Sequence, residues 1–306
     1  MTFDAFRARA VDELFGFDRP STSGEAIFAR LFEGLILLWT LQHAWTWAAE
    51  IQRIEAVVLP LGLAQYLYVS VFFDHGWSYV LAAGVSVAML LGFLRRFPYA
   101  YAAALLGFHL LYVSRYSLGE ISHGSNFVGM GVLAFAIGTA VFRDSEVATR
   151  RFAFGLLYFM FGVGYVSAGM CKLIGTGIDW PAATHFALWV GERTIDVTSR
   201  EGSFEPTIIQ SIGLAYPWFA TATLGFGLVV ELAGVGLWFR RSRPWVLLAL
   251  IMMHIGIDLT LDILFFYNIA ILSLLALPIP AAIDAVLRAR RRGSVGTPPV
   301  GHARLG

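Results

Sequence analysis

The chain has 306 residues, 58% of them hydrophobic and 14% charged, with a formal net charge of +1 and a mean hydropathy of +0.68. That balance is too apolar for a water-soluble domain and fits a polytopic membrane protein, and near-zero net charge suggests no nucleic-acid partner. The lone cysteine, Cys171, excludes an internal disulfide framework.

Residues 1–29 read as an amphipathic segment lying at the membrane interface. Phe3, Phe6, Ala10, Leu14 and Phe17 recur at helical spacing, with Arg7, Arg9, Asp12 and Glu13 between them. Charges run through this segment without a compact apolar core, so no cleavable signal peptide is expected. The run Arg19-Pro20-Ser21-Thr22-Ser23-Gly24 then supplies turn chemistry.

Apolar stretches follow near 30–48, 56–73, 78–94, 98–115, 126–142, 152–171, 214–238, 244–261 and 263–285. Each is judged against the roughly 20 residues needed to cross the hydrocarbon core. Only a few residues separate the last two, which form either a tight hairpin or one broken helix, so the count is eight or nine. The expected fold is all-α: a multi-pass bundle over residues 30–285. A tail from 286 to 306, rich in Arg, Gly and Pro, is expected to be disordered.

Charge placement predicts an orientation. Arg95-Arg96, then Arg143 with Arg150 and Arg151, Arg240-Arg241 with Arg243, and Arg288 with Arg290-Arg291-Arg292 fall on alternate connections. They share one side, cytoplasmic by the positive-inside rule, which puts the connection from Lys172 to Gly213 on the outer side. The basic N-terminus fits this arrangement poorly. In the outer connection, Trp180, His185, Phe186 and Trp189 suggest an amphipathic helix lying at the interface as a lid.

The most informative stretch runs from Tyr165 to Trp180, YVSAGMCKLIGTGIDW. Of the 22 Lys and Arg residues, Lys172 is the one lysine. Arginine does not give up its proton in a protein, whereas a lysine held among apolar groups acts as a base near neutral pH. The plainer alternative is a lysine at a helix end that snorkels to the interface.

Other ionisable residues lie inside apolar stretches, where they are costly and mark function by default. His254, Asp258 and Asp262 repeat at i, i+4 and i+8 and line one helix face, with Asn268 beyond them. Glu231 is deep in its stretch. Glu33 with Arg30 reads as a structural ion pair, and His109 as a packing residue. No phosphate-cradling glycine loop, Cys-based metal motif or nucleophile elbow is present.

At Ala168-Gly169-Met170-Cys171-Lys172-Leu173, followed by Asp179-Trp180, the chain resembles the vitamin K-dependent gamma-carboxylase family, and more closely its bacterial relatives carrying a horizontally transferred transmembrane (HTTM) domain. Gly131-Val132-Leu133-Ala134-Phe135, Glu231, His254 and Phe265-Phe266-Tyr267-Asn268 resemble later family segments. The resemblance implies a multi-pass protein of the bacterial inner membrane, a reduced quinone of the vitamin K type as cofactor, and Lys172 as the base that deprotonates it.

By the same resemblance the family's motif histidine falls on Asn126, with His123 three residues earlier, so these join His254 as catalytic candidates. Trp180, Asp179, Glu231, Asp258 and Asn268 are candidate substrate-binding residues. The partners implied are the lipid bilayer, a lipophilic small molecule and, for a maturation role, a secreted peptide. Two rival functions remain open: a non-enzymatic maturation factor for secreted peptides, and a transporter using Glu231, His254 and Asp258 as a proton or ion relay.

Overall fold

The computed structural model describes residues 3–54, 59, 61–119 and 124–295, and among them every regular element is helical. Helix α1 (Phe3–Phe15) is followed by α2 (Ser23–Ile51), α3 (Trp77–Phe93), α4 (Ala100–Tyr116), α5 (Gly124–Val141) and α6 (Glu146–Thr176). Then come α7 (Ala183–Glu201), α8 (Ile208–Ala215), α9 (Pro217–Leu232), α10 (Arg243–Leu261), α11 (Phe266–Ala276) and α12 (Ile279–Val295). Local chemistry sets the starts. Thr22 and Glu25 form a reciprocal capping box on α2, Ser145 caps α6, and prolines occupy the first turns of α9 and α10.

Among the described residues, four elements are long and apolar enough to cross a membrane: Gly124–Val141, Glu146–Asp179, Pro217–Trp238 and Arg243–Leu261. A fifth is the pair Phe266–Ala276 and Ile279–Arg291, bent by 49°. This is fewer than the eight or nine expected. The apolar stretch near 56–73 is the clearest correction. Over its described part it forms only two short 3-10 turns, Gly62–Gln65 and Val69–Phe73. Gly62 takes φ +55°, outside the helical region, so apolar composition does not become a continuous helix here. The stretch 263–285 breaks at Leu277-Pro278, where Leu277 is extended (ψ 141°), as a residue before proline prefers.

Two boundaries also move. The interfacial segment drawn to residue 29 ends earlier, because α2 begins at Ser23. The tail expected to be disordered is helical as far as Val295. Its Asp284 carboxylate accepts a 2.7 Å hydrogen bond from the Gly24 N–H, which ties α12 to the start of α2.

Packing is tightest where side chains are smallest. A Cβ on Gly162 would lie 3.0 Å from the Gly234 carbonyl, so α6 and the 3-10 extension of α9 (Ala233–Trp238) cross almost backbone to backbone. The core joins Phe32, Ile36, Tyr101, Phe135, Leu157, Phe161 and Leu247. Outside it, large apolar side chains such as Leu31, Leu106, Val229 and Trp245 are exposed, as on a surface that meets lipid.

Most of the clustered arginines gather at one end, while Arg115, Arg193 and Arg200 pair elsewhere. Glu33 holds Arg30 and Arg95, and Arg151 reaches the Gly16 and Pro20 carbonyls. Arg240 and Arg243 donate to the carbonyls of Asp12 and Glu13, which seats α1 at this same end. The basic N-terminus that fitted the charge pattern poorly therefore lies with the other arginine clusters.

Candidate functional site

Tyr165, Gly169 and Lys172 stand at i, i+4 and i+7 on α6 and share one face. Gly169 lets α9 come close: a Cβ there would lie 3.0 Å from Leu232 and 3.3 Å from the Glu231 Cβ. Lys172 consequently meets Glu231 in an ion pair, with side chains 28% and 9% exposed. The Lys172 ammonium also lies 4.6 Å from the centroid of the Trp180 ring. Trp180 is buried against Trp189, and its carbonyl is 2.8 Å from His185 Nδ1.

Behind this pair is a second polar layer. The Tyr165 hydroxyl and His254 Nε2 share a 2.6 Å hydrogen bond, and Asn268 is buried nearby. His254 packs on Phe265, with ring centroids 5.1 Å apart. At 1.5 Å rise per residue, His254 is about 16 Å along α10 from its first residue, close to mid-membrane for a ~30 Å core. Three buried atoms of this region have no hydrogen-bond partner: Glu231 Oε2, His254 Nδ1 and Asn268 Oδ1. Buried polar atoms are nearly always paired, so each is an unmet demand.

Lys172, Trp180 and Glu231 line a cavity of about 910 Å³ between α6, α7, α9 and α10. Its walls are mostly apolar, including Phe186, Leu224, Phe226, Met252 and Phe265. Glu192, Arg193 and Asp196 of α7 form a charged rim. Arg193 bonds Asp196 and also the Asp262 side chain at 2.7 Å, which ties α7 to the end of α10. The helix expected as a lid over this region is therefore α7. Both the size and the lining fall in the range of small-molecule sites.

Comparison with family models, curated proteins and solved structures finds no match.

The structure brings Lys172, Glu231, Trp180, His254 and Asn268 into one region. It separates others. Asn126 is exposed on the first turn of α5, Asp179 is exposed on the 3-10 turn Gly177–Asp179, and His123 lies outside the described residues. Asp258 is half-buried and is not among the described residues lining the cavity. Among the described residues no three His, Cys, Asp or Glu side chains cluster as a metal site. Sequence reasoning assigned no role to Tyr165 or Arg193. The first was legible as the residue two turns before Lys172 on the same helix face; the second depends on a contact with Asp262, 69 residues away.

Proposed function

We propose that this chain is a multi-pass membrane protein that binds a lipophilic ligand of the quinol class and moves a proton at the ligand's hydroxyl through the Lys172–Glu231 pair. The passes would be α2 to α6, α9, α10 and the bent pair of α11 with α12, eight in all, in a bacterial inner membrane with the arginine end in the cytoplasm. The observation that carries the reading is the apolar 910 Å³ cavity that reaches a buried carboxylate with one oxygen unpartnered.

The residues suit such a ligand. Apolar walls take up a ring and chain, and Glu231 Oε2 accepts the hydroxyl hydrogen bond and then the proton. Lys172, held by Trp180, keeps its positive charge beside the negative charge that remains, in a region where water screens little. The two side chains thus divide the work of the base between them. Glu231 receives the proton and Lys172 steadies the product. Tyr165, His254 and Asn268 form the polar floor through which a proton leaves. A reduced quinone in this position would supply electrons for oxygenation of the kind the carboxylase resemblance implies.

The test is quinol binding and turnover by purified protein in nanodiscs, for wild type, Lys172→Arg and Glu231→Gln. Loss of turnover in Glu231→Gln with quinol binding retained supports the reading. Wild type that neither binds nor consumes quinol sinks it, and the maturation-factor and transporter functions then move ahead.

A further inference from the structure

The arginine end holds a second cavity of about 360 Å³, where α1 and the starts of α2, α6 and α10 come together. Arg19, Arg150, Arg151, Arg240 and Arg243 line it. Most of the hydrogen bonds that hold these guanidinium groups end on backbone carbonyls. Arg151 donates to Gly16 and, at 3.1 Å, to Pro20. Arg243 donates to Leu237 at 2.8 Å and Glu13 at 3.0 Å, and Arg240 donates to Asp12.

A carbonyl satisfies an N–H but carries no net charge, so positive charge accumulates here. Three carboxylates face the five guanidinium groups: Asp12 and Glu13 of α1, and Glu25, which itself lines the cavity. Asp12 is 3.4 Å from Arg19 and 3.8 Å from Arg240, and Glu25 is 3.7 Å from Arg151. The Glu13 carboxylate is occupied by the Arg240 backbone N–H at 3.0 Å. Arg150 makes no ion pair among the described residues, and Arg240 Nη1 is buried without a hydrogen bond.

We infer that this cavity binds a phosphate-bearing anion, supplied by the headgroup of an anionic membrane lipid. Guanidinium groups match phosphate oxygens in number and geometry. Besides Ser21 and Glu25, the other walls are mostly aromatic and aliphatic, with Leu14, Phe15, Phe28, Phe154 and Tyr158 among them, so an acyl-glycerol body has somewhere to lie. The site sits where the membrane helices end in arginine, at the level of lipid headgroups on the basic side. A lipid held there would also fasten α1 to the bundle, because Arg151, Arg240 and Arg243 already grip α1 and the turn after it.

The experiment titrates purified full-length protein in mild detergent with short-chain phosphatidylglycerol, short-chain phosphatidylcholine or inorganic phosphate, reading Tm by tryptophan fluorescence. Phosphatidylglycerol should raise Tm saturably and phosphatidylcholine should not. Arg150→Gln should raise the half-saturating concentration about fivefold, the scale of one basic residue at a membrane surface. Arg19→Gln, at a half-exposed position that tolerates change, should act in the same direction. Arg96→Gln, at the same end but outside the cavity, should leave the response unchanged. An equal response to inorganic phosphate at equal concentration keeps the site and reassigns its ligand to soluble phosphate. No saturable response to either anion, or equal losses in Arg150→Gln and Arg96→Gln, overturns the inference.

Discussion

Two buried carboxylates in this bundle, Glu33 and Glu231, are partnered in opposite ways. Glu33 is 1% exposed and uses both oxygens: Arg95 and Tyr101 bond Oε1, while Arg30 and Arg95 bond Oε2 at 2.9 Å. Glu231, which lines the cavity, gives one oxygen to Lys172 and leaves the other buried without a partner. A saturated network locks helices together; an unsaturated one beside a cavity has capacity left for a ligand. Their placement agrees, since Glu33 ties α2 to α3 and α4 near the arginine end and Glu231 faces the open space between α6 and α10.

The largest expected effect comes from breaking the saturated site. Glu33→Gln removes the charge that answers Arg95 and Arg30 and turns one acceptor oxygen into a donor, leaving Arg95, Arg30 and Tyr101 a single carbonyl to share, and should cost roughly 3–5 kcal/mol of stability. Thermal unfolding in detergent should show a large fall in Tm for Glu33→Gln. A fall no larger than that of Glu231→Gln would erase the contrast between the two carboxylates.

Next in size is Lys172→Ala. It strands the Glu231 charge and should cost about 1–3 kcal/mol, at the lower part of that range because Lys172 is 28% exposed. The double variant Lys172→Ala with Glu231→Gln should recover most of that loss, since it leaves no unpaired charge. Additive losses in the double-mutant cycle would show that the two side chains are not coupled. Quinol turnover should be absent in all three variants.

The pairing itself was not legible beforehand. The lone lysine among small residues stood out, and so did Glu231 inside an apolar run, but 59 residues separate them and only the close α6–α9 crossing joins them. The apolar runs that became α5, α6, α9 and α10 were readable because length and composition sufficed. The run near 56–73 was equally apolar, yet over its described part it breaks into two 3-10 turns, with Gly62 at φ +55°. Helical spacing also grouped Asp258 correctly with His254 on one face of α10. Spacing alone does not tell which turn faces a neighbour: His254 is buried against Tyr165, and Asp258, one turn further on, is not. Asn126 failed for the same reason, because its face of α5 is exposed while Gly124, two residues earlier, packs on Tyr267 and Asn268.

A smaller effect is expected from Tyr165→Phe, which removes the hydroxyl that bonds His254. Hydrogen bonds between membrane helices average about 0.6 kcal/mol, so stability should change little. If the polar floor carries protons away from Glu231, turnover should fall severalfold while quinol affinity stays constant. Unchanged turnover would confine Tyr165 to packing and detach the second layer from the site.

The smallest effect on stability belongs to Arg193→Gln, and it bears most directly on how a ligand reaches the cavity. Arg193 bonds Asp196 and Asp262, whose side chains are 51% and 63% exposed, and such solvent-exposed pairs contribute roughly 0–1 kcal/mol. Unfolding should therefore be nearly unchanged. The tie nevertheless joins α7 to α10 across the cavity rim, and Leu188 and Ile195 of α7 are exposed as on a helix that lies against lipid. Releasing it should let α7 move away from the rim, so stopped-flow quinol binding should show association and dissociation accelerated by similar factors with affinity little altered. A change in affinity without a change in rates would instead place Arg193 in contact with the ligand, and α7 would then be a wall of the cavity and not its lid.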